Sequence, residues 1–439
     1  MVKRLVPVIA LGLAACGTTV SDHDIVSPAT AESPAQLASL RLGAIGQFAV
    51  AYGGAGDLSG GGHEGEINIT ALMTDEYVDL DTYQTRVDVD LRQATDNNSN
   101  LNALFADLAK ARVAAEKSAS LYQQYLPNDA GYSESLSLAG YTYALFGEIY
   151  CSGVPFSSIS DGGSISYSQP LTTDSICARA LARFASAMAA APDSTTKNLA
   201  RVGTARVLLD MGRYSDAAAA AAAVPDSFVY QIEYSTNTQR QNNGVWYFGP
   251  QNGYFSMFDR EGGNGLPFVS AHDPRVPFDS TGAPGYSLAP NTDLISELKY
   301  PTAASDINLA DGVEARLILA EAQQRGAAAG DYATTLNNLR TEFQPSLPLL
   351  AEPVDDSAQV DQVFSERAFW LFLTAHRMGD LRRLIRQYGR GPETVFPTGV
   401  SPVAGLSYGT DVTFPVSGYA ANNPNFHGCV SVAARRVRD

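Results

Sequence analysis

The chain has 439 residues, with 30 Lys plus Arg against 46 Asp plus Glu, a net charge of −16 and only 17% charged residues. Its 45% hydrophobic content supplies ample core, excludes a disordered chain, and its acidity excludes a general nucleic-acid binder, which needs a basic face. No apolar run reaches the roughly 20 residues of a membrane span, and five His and four Cys, with no CxxC and no HExxH, supply metal chemistry poorly.

At the start, Lys3 and Arg4 precede the apolar run Leu5 to Leu13, followed by Ala14-Ala15-Cys16. A charged start, a hydrophobic stretch too short to span and small residues at a cleavage point make a signal peptide. Leu13-Ala14-Ala15-Cys16 looks like the lipobox of a bacterial lipoprotein, which implies removal of residues 1–15 and acylation of Cys16. Several acyl chains on one residue anchor stably, since each buried CH2 contributes about 0.8 kcal/mol. Residues 16–38 read as the lipidated N-terminus and a polar tether, and 39–439 as a single domain. Of the other cysteines, Cys151 and Cys177 are expected to pair. They close a loop of about 26 residues, contributing roughly 3.5 kcal/mol in the chain-entropy picture, and leave Cys429 over.

Much of the rest is helical by pattern. Asn100 to Tyr125 carries Leu101, Leu104, Leu108, Ala111 and Ala115 at three- and four-residue spacings, with N-cap chemistry at Asn97, Asn98 and Ser99. Ser133 to Tyr150 has a broad apolar face, and Asp174 is expected to cap a helix stopped by Pro192. Asn198 to Met211 and Ser215 to Val224 form a hairpin about Gly212-Arg213-Tyr214; Asp311 to Arg325 and Ala333 to Phe343 form another about Gly330-Asp331-Tyr332. Gly-x-Tyr before a small-residue helix is the turn signature of tetratricopeptide-like hairpins. A last helix is predicted from about Gln359 to Arg386. The predicted fold is therefore mainly α, a tetratricopeptide-like scaffold with few short strands. Large irregular, aromatic-rich segments interrupt it at about 226–309 and 387–439.

Ser365-Glu366-Arg367, Phe369 to Leu373 and His376-Arg377-Met378-Gly379-Asp380-Leu381-Arg382-Arg383 resemble the E-R-x-x-E-L-x-x-E-G-x-R-x-x-D-L-x-R segment of the SusD/RagB family. The two inner acidic positions of the pattern are not matched in this chain. Gly153-Val154-Pro155, Arg316-Leu317 to Glu321-Ala322, and Phe414-Pro415 with Asn423-Pro424 resemble further family landmarks in the family's order. The resemblance implies an outer-membrane, surface-exposed nutrient-binding lipoprotein that is not an enzyme and carries no cofactor. It would capture oligosaccharides or peptides and form a lid over a SusC-like TonB-dependent barrel transporter. The alternative is a helical-repeat envelope scaffold that binds proteins or peptides.

Within the motif, Glu366, Arg367, Arg377 and Asp380 read as ion-paired structural residues, because Phe364, Phe369, Phe372 and Leu381 around them look like core. Sugars present apolar C–H faces and hydroxyls, so aromatic rings mixed with amides and charges mark candidate contacts. The densest mixture includes Arg240, Asn243, Trp246, Tyr247 and Tyr254; a second lies at Asp75-Glu76-Tyr77 to Tyr83. Trp246, Tyr247, Asn243, Arg240 and Tyr77 are the candidate ligand contacts. His63, Glu64 and Glu66 read as a solvated Gly-rich loop. Asp75, Asp79, Asp81, Asp88 and Asp90 lack an EF-hand loop, and no metal is expected.

Overall fold

The computed structural model describes residues 33–57, 63–159, 164–284 and 292–429. The signal segment and Cys16 lie outside the described residues. A 3-10 turn at Pro34–Gln36 leads into α1 (Leu37–Gly53), and Leu37 is buried against Leu121 and Tyr122. The folded body thus takes in residues 34–38, which the sequence had assigned to the tether.

The Gly-rich stretch proves to be a close helix crossing. Gly54 and Gly65 both have positive φ (83° and 79°), and a Cβ on Gly65 would run into the Gly54 backbone. Only glycine meets both demands. The crossing lets α2 (Gly65–Met73) pass through the interior with every residue buried, Glu66 included. Glu64 and Glu66 are therefore not in a solvated loop, which corrects that expectation.

The helical body continues with α3 (Gln84–Asp90), α4 (Ser99–Tyr125), α5 (Ala130–Ile149), α6 (Thr173–Ala190), α7 (Ser194–Asp210) and α8 (Tyr214–Ala222). Side-chain caps start four of them, from Asn98, Asp129, Thr172 and Asp193. Thr172, not Asp174, caps α6. Its Phe184 ring sits over Gly140 of α5 and Gly203 of α7, with no room for a Cβ at either. A second hairpin, α9 (Gly312–Gln324) and α10 (Tyr332–Phe343), turns at Gly330 with φ 99°.

The predicted last helix is two helices, α11 (Asp356–Trp370) and α12 (Arg377–Tyr388). Between them Leu373 and Ala375 take left-handed backbone (φ 51° and 61°), which costs about 1–3 kcal/mol each without glycine. The turn holds because remote side chains satisfy its backbone. Glu76 accepts the Leu373 N–H at 2.8 Å; Tyr300 and Tyr52 donate to the carbonyls of Leu373 (3.1 Å) and Thr374 (2.9 Å); Lys299 donates to that of Phe372.

Among the described residues the strands are short antiparallel pairs: β1 (Val78–Asp79) with β7 (Phe255–Ser256), β2 (Val154–Pro155) with β5 (Pro170–Leu171), β3 (Ser158–Ile159) with β4 (Ile165–Ser166), β6 (Val229–Ile232) with β10 (Ile307–Asp311), and β8 (Phe278–Pro284) with β9 (Asp293–Glu297). Of these ribbons, β1–β7 ties segment 226–309 to the N-terminal part of the chain, while β6–β10 and β8–β9 close that segment largely on itself.

The disulfide joins Cys151 to Cys429, with Cα atoms 5.9 Å apart, and Cys177 is free and buried. This corrects the expected Cys151–Cys177 pairing. The Cys151 N–H donates to Phe414 O at 2.9 Å, so the C-terminal segment runs alongside Cys151. Cys177 instead faces Gly147, one helical turn earlier on α5.

Buried ion pairs join the helices. Arg377 grips Asp75 through two bonds of 2.6 and 2.7 Å; Arg367 grips Asp380 at 2.8 and 2.9 Å, and Arg383 adds a third bond to Asp380 at 2.6 Å and pairs with Glu321. Glu366 receives both Arg275 and Arg340. Arg206 clasps Glu314 at 2.6 and 2.8 Å. Burial alone would raise Glu314, but Arg206 and His376 hold it at about 2. Glu76, which accepts a backbone N–H and has no cation bonded to it among the described residues, is pushed up by burial to about 8.

Two outcomes follow. Non-reduced peptide mapping should return a Cys151–Cys429 link, and Cys177, whose thiol burial pushes up to about 12, should alkylate only after unfolding. A Cys151–Cys177 peptide would contradict the fold. Stability should also peak near pH 5. The Glu314 contribution, on the order of 3 kcal/mol, is present above the unfolded value of 4.5 and lost as pH falls towards 2. The protonated Glu76 works oppositely: its contribution is present below 4.5 and lost as pH rises through about 8. Urea midpoints against pH should show both limbs, with Glu314→Gln making the acidic one shallower and Glu76→Gln the other, since further buried carboxylates contribute to each.

Candidate functional site

The site is built around Arg86 on α3. Burial of its guanidinium is matched by carboxylates: Glu64 accepts at 2.8 and 3.2 Å, and Asp81 accepts from the other side. The guanidinium carbon then lies 5.0 Å from the Tyr83 ring centre, 5.2 Å from Phe248, 5.3 Å from Tyr254 and 5.5 Å from Phe255. Phe248 and Phe255 are buried and stacked at 5.7 Å, while Tyr83 is 65% exposed. One buried cation thus organises a set of rings whose outer members reach solvent.

Segment 239–247 lies beside this cluster. The Gly56 N–H donates to Gln239 O at 2.9 Å, and the Asn243 N–H to Ala303 O at 2.8 Å. Asn243 is fully buried; its side chain accepts the Trp246 N–H at 3.0 Å and donates to Ser305 O at 2.7 Å, starting the single turn Gly244–Trp246. Trp246 and Tyr247 follow, both half-buried, and Tyr247 packs edge-on against Phe248 at 5.2 Å. Tyr247 is thereby linked through Phe248 to the rings around Arg86.

A polar chain borders the rings. Arg240 reaches His63 Nε2 (3.3 Å) and Gln47 (3.4 Å), and His63 Nδ1 meets Asp107 at 2.6 Å. Burial works against the Asp107 charge, but hydrogen bonds from His63 and Lys110 hold its carboxyl below the usual range. Exposed and half-buried rings beside a guanidinium, an imidazole and amides can stack on an apolar ligand face while bonding its hydroxyls.

Of the candidate contacts, Tyr247 joins the ring set through Phe248, Arg240 belongs to the polar chain beside it, and Trp246 is half-buried next to Tyr247. Tyr77 and Asn243 take no part in it. Tyr77 is fully buried with its ring 6.1 Å from Phe255, and Asn243 is consumed by backbone bonds. Both are interior residues, a correction to their reading as ligand contacts. Arg86 and Asp107 were missed; a helical Arg flanked by acids in sequence looks like any solvated face. Tyr83 and Tyr254 stood within the aromatic-polar stretches.

Among the described residues, no group of three His, Cys, Asp or Glu side chains is arranged to hold a metal ion. Asp75 and Asp81 are committed to Arg377 and Arg86. Burial pushes Asp79 and Asp90 well above the usual carboxylate range, which disfavours the charged form that a cation would need.

Comparison with known proteins places the architecture. No family model matches the sequence, and no curated protein matches it. Solved structures do. Surface glycan-binding protein A from Bacteroides uniformis is 15% identical with a TM-score of 0.67, over 90% of this chain and 99% of that one. A SusD superfamily protein from Bacteroides thetaiotaomicron is 14% identical with a TM-score of 0.65, over 90% of this chain and 100% of that one. NanU of B. fragilis is 11% identical with a TM-score of 0.58, over 92% and 99%. This chain is a mainly α protein of the tetratricopeptide-like kind. More specifically, it has the SusD-like fold, along essentially the whole length of those proteins.

Two substitutions separate the exposed rim from its support. Tyr83→Ala should change stability by no more than about 1 kcal/mol, the size of an exposed cation–π contact. Arg86→Leu strands Glu64 and Asp81 and should cost about 3–5 kcal/mol. Urea midpoints of the two variants check both values.

Proposed function

We propose that the protein is a cell-surface carbohydrate-binding protein whose ligand contacts lie on the face formed by Tyr83, Tyr254, Trp246, Tyr247 and Arg240. The observation that carries this is the ring cluster held open to solvent around buried Arg86. It gains support from the shared fold with a protein described as a surface glycan-binding protein. The lipobox ending at Cys16 supports anchoring by acyl chains at the outer membrane, facing outwards. On this reading the captured ligand is an oligosaccharide delivered to a SusC-like TonB-dependent transporter in the same membrane. The protein acts by capture rather than catalysis and needs no cofactor. Its net charge of −16 favours neutral oligosaccharides over polyanionic ones.

Calorimetric titration of neutral oligosaccharides, after a glycan and peptide screen, tests the reading. Trp246→Ala and Tyr83→Ala should each weaken the selected glycan by about 5- to 30-fold, the loss of about 1–2 kcal/mol of ring contact. Binding unchanged in both variants would remove this face from the site. Binding of peptides and no glycan would overturn the carbohydrate assignment.

A further inference from the structure

A second concavity lies apart from the aromatic face. A pocket of about 340 Å³ opens between β10, the start of α9, the end of α10 and the turn joining α11 to α12; Lys299, Phe343, Trp370, Asp311 and His376 are among its walls. Its size falls in the range of small-molecule sites, at their lower end. The strained Leu373–Ala375 backbone belongs to the same turn, and such strain concentrates where a site needs groups held in place.

The hydrogen-bonding balance of the walls is one-sided. Their carboxylates are already engaged: Glu314 is clasped by Arg206, and Asp311 accepts the Glu314 N–H at 2.7 Å and the Asn308 amide at 3.0 Å. The donors are not. The Lys299 ammonium has three N–H groups and gives one to Phe372 O; Glu76, Asp311 and Glu297 act on it through space, but among the described residues none of them lies within ion-pair distance. The Trp370 indole N–H is buried with no partner, while Arg275 covers the ring face 5.0 Å from its centre. An orphaned buried donor costs about 1–3 kcal/mol, and a ligand oxygen would recover it. Asp306, at the mouth, is exposed to solvent.

We propose that this pocket binds the carboxylate of a small ligand, which accepts hydrogen bonds from the Lys299 ammonium and the Trp370 indole N–H. The volume admits a body about the size of one sugar ring or one amino-acid residue. A terminal sugar acid and a peptide C-terminus share this chemistry. Burial draws Lys299 down to about 8, so the ammonium form still predominates at neutral pH. The site does not depend on the aromatic face and can stand or fall without it.

Titration of the full-length protein with glucuronate, its methyl ester, glucose and N-acetylalanine tests the proposal. Glucuronate or N-acetylalanine should bind saturably, and whichever binds identifies the source. The ester should bind at least about tenfold more weakly than glucuronate if the sugar acid is the ligand, since it keeps the body and loses the charge. Lys299→Met should weaken the bound carboxylate at least tenfold. Trp370→Phe, which keeps a ring and removes the N–H, should weaken it severalfold; it decides the matter if Lys299→Met fails to fold. Neutral oligosaccharide binding at the aromatic face should be unchanged in both variants. No saturable carboxylate binding, or carboxylate binding insensitive to Trp370→Phe, would overturn the proposal.

Discussion

Arg377 and Asp75 meet in two parallel hydrogen bonds deep in the molecule, 302 residues apart in sequence. Both side chains are buried, so each charge requires the other. Asp75 directly follows α2 and the Thr74 cap, and Arg377 opens α12; their contact fixes the N-terminal helices against the last pair. Asp75 also accepts the Leu266 N–H at 2.8 Å, which draws the irregular segment onto the same point. Around it the pairs Arg367–Asp380, Arg383–Glu321, Arg206–Glu314 and Arg275–Glu366 join α7, α9, α11 and α12 to one another and to that segment. Low overall charge density conceals how much of the charge works in the interior.

This lattice explains how a loop-built face can be presented with definite geometry. Binding residues on irregular segments lose affinity when the segments must be ordered on contact. Here the 239–247 stretch is held by backbone bonds at Gly56 and Ala303 and by the Asn243 cap, and the rings beyond it rest on Arg86. The same lattice bounds the Lys299–Trp370 pocket, where remote side chains hold the turn Leu371 to His376 open.

The helices were legible wherever one face was apolar and the other was not, as in α4, and both hairpins were legible through Gly-x-Tyr. Helix α2 was not, because a helix buried on all sides has no contrast between faces. Nor was the break at Leu373 and Ala375, which carries neither Gly nor Pro and depends on Glu76, Tyr300 and Tyr52 from distant parts of the chain. Short loop closure pointed to Cys177 as the partner of Cys151, yet tertiary structure brings Cys429 there from 278 residues away. For the site, residue type marked Trp246, Tyr247 and Arg240. It could not tell an interior Tyr77 from an exposed Tyr83, since both lie in one polar-aromatic stretch.

The central claim, that the buried pair between Asp75 and Arg377 welds the two ends of the fold, is tested most directly by a double-mutant cycle with Asp75→Leu and Arg377→Met read by urea unfolding. Each single change should cost about 3–5 kcal/mol by stranding a buried charge. The double variant should cost far less than the sum, a coupling of about 2 kcal/mol or more. Additive losses would contradict the account and show the two residues acting independently.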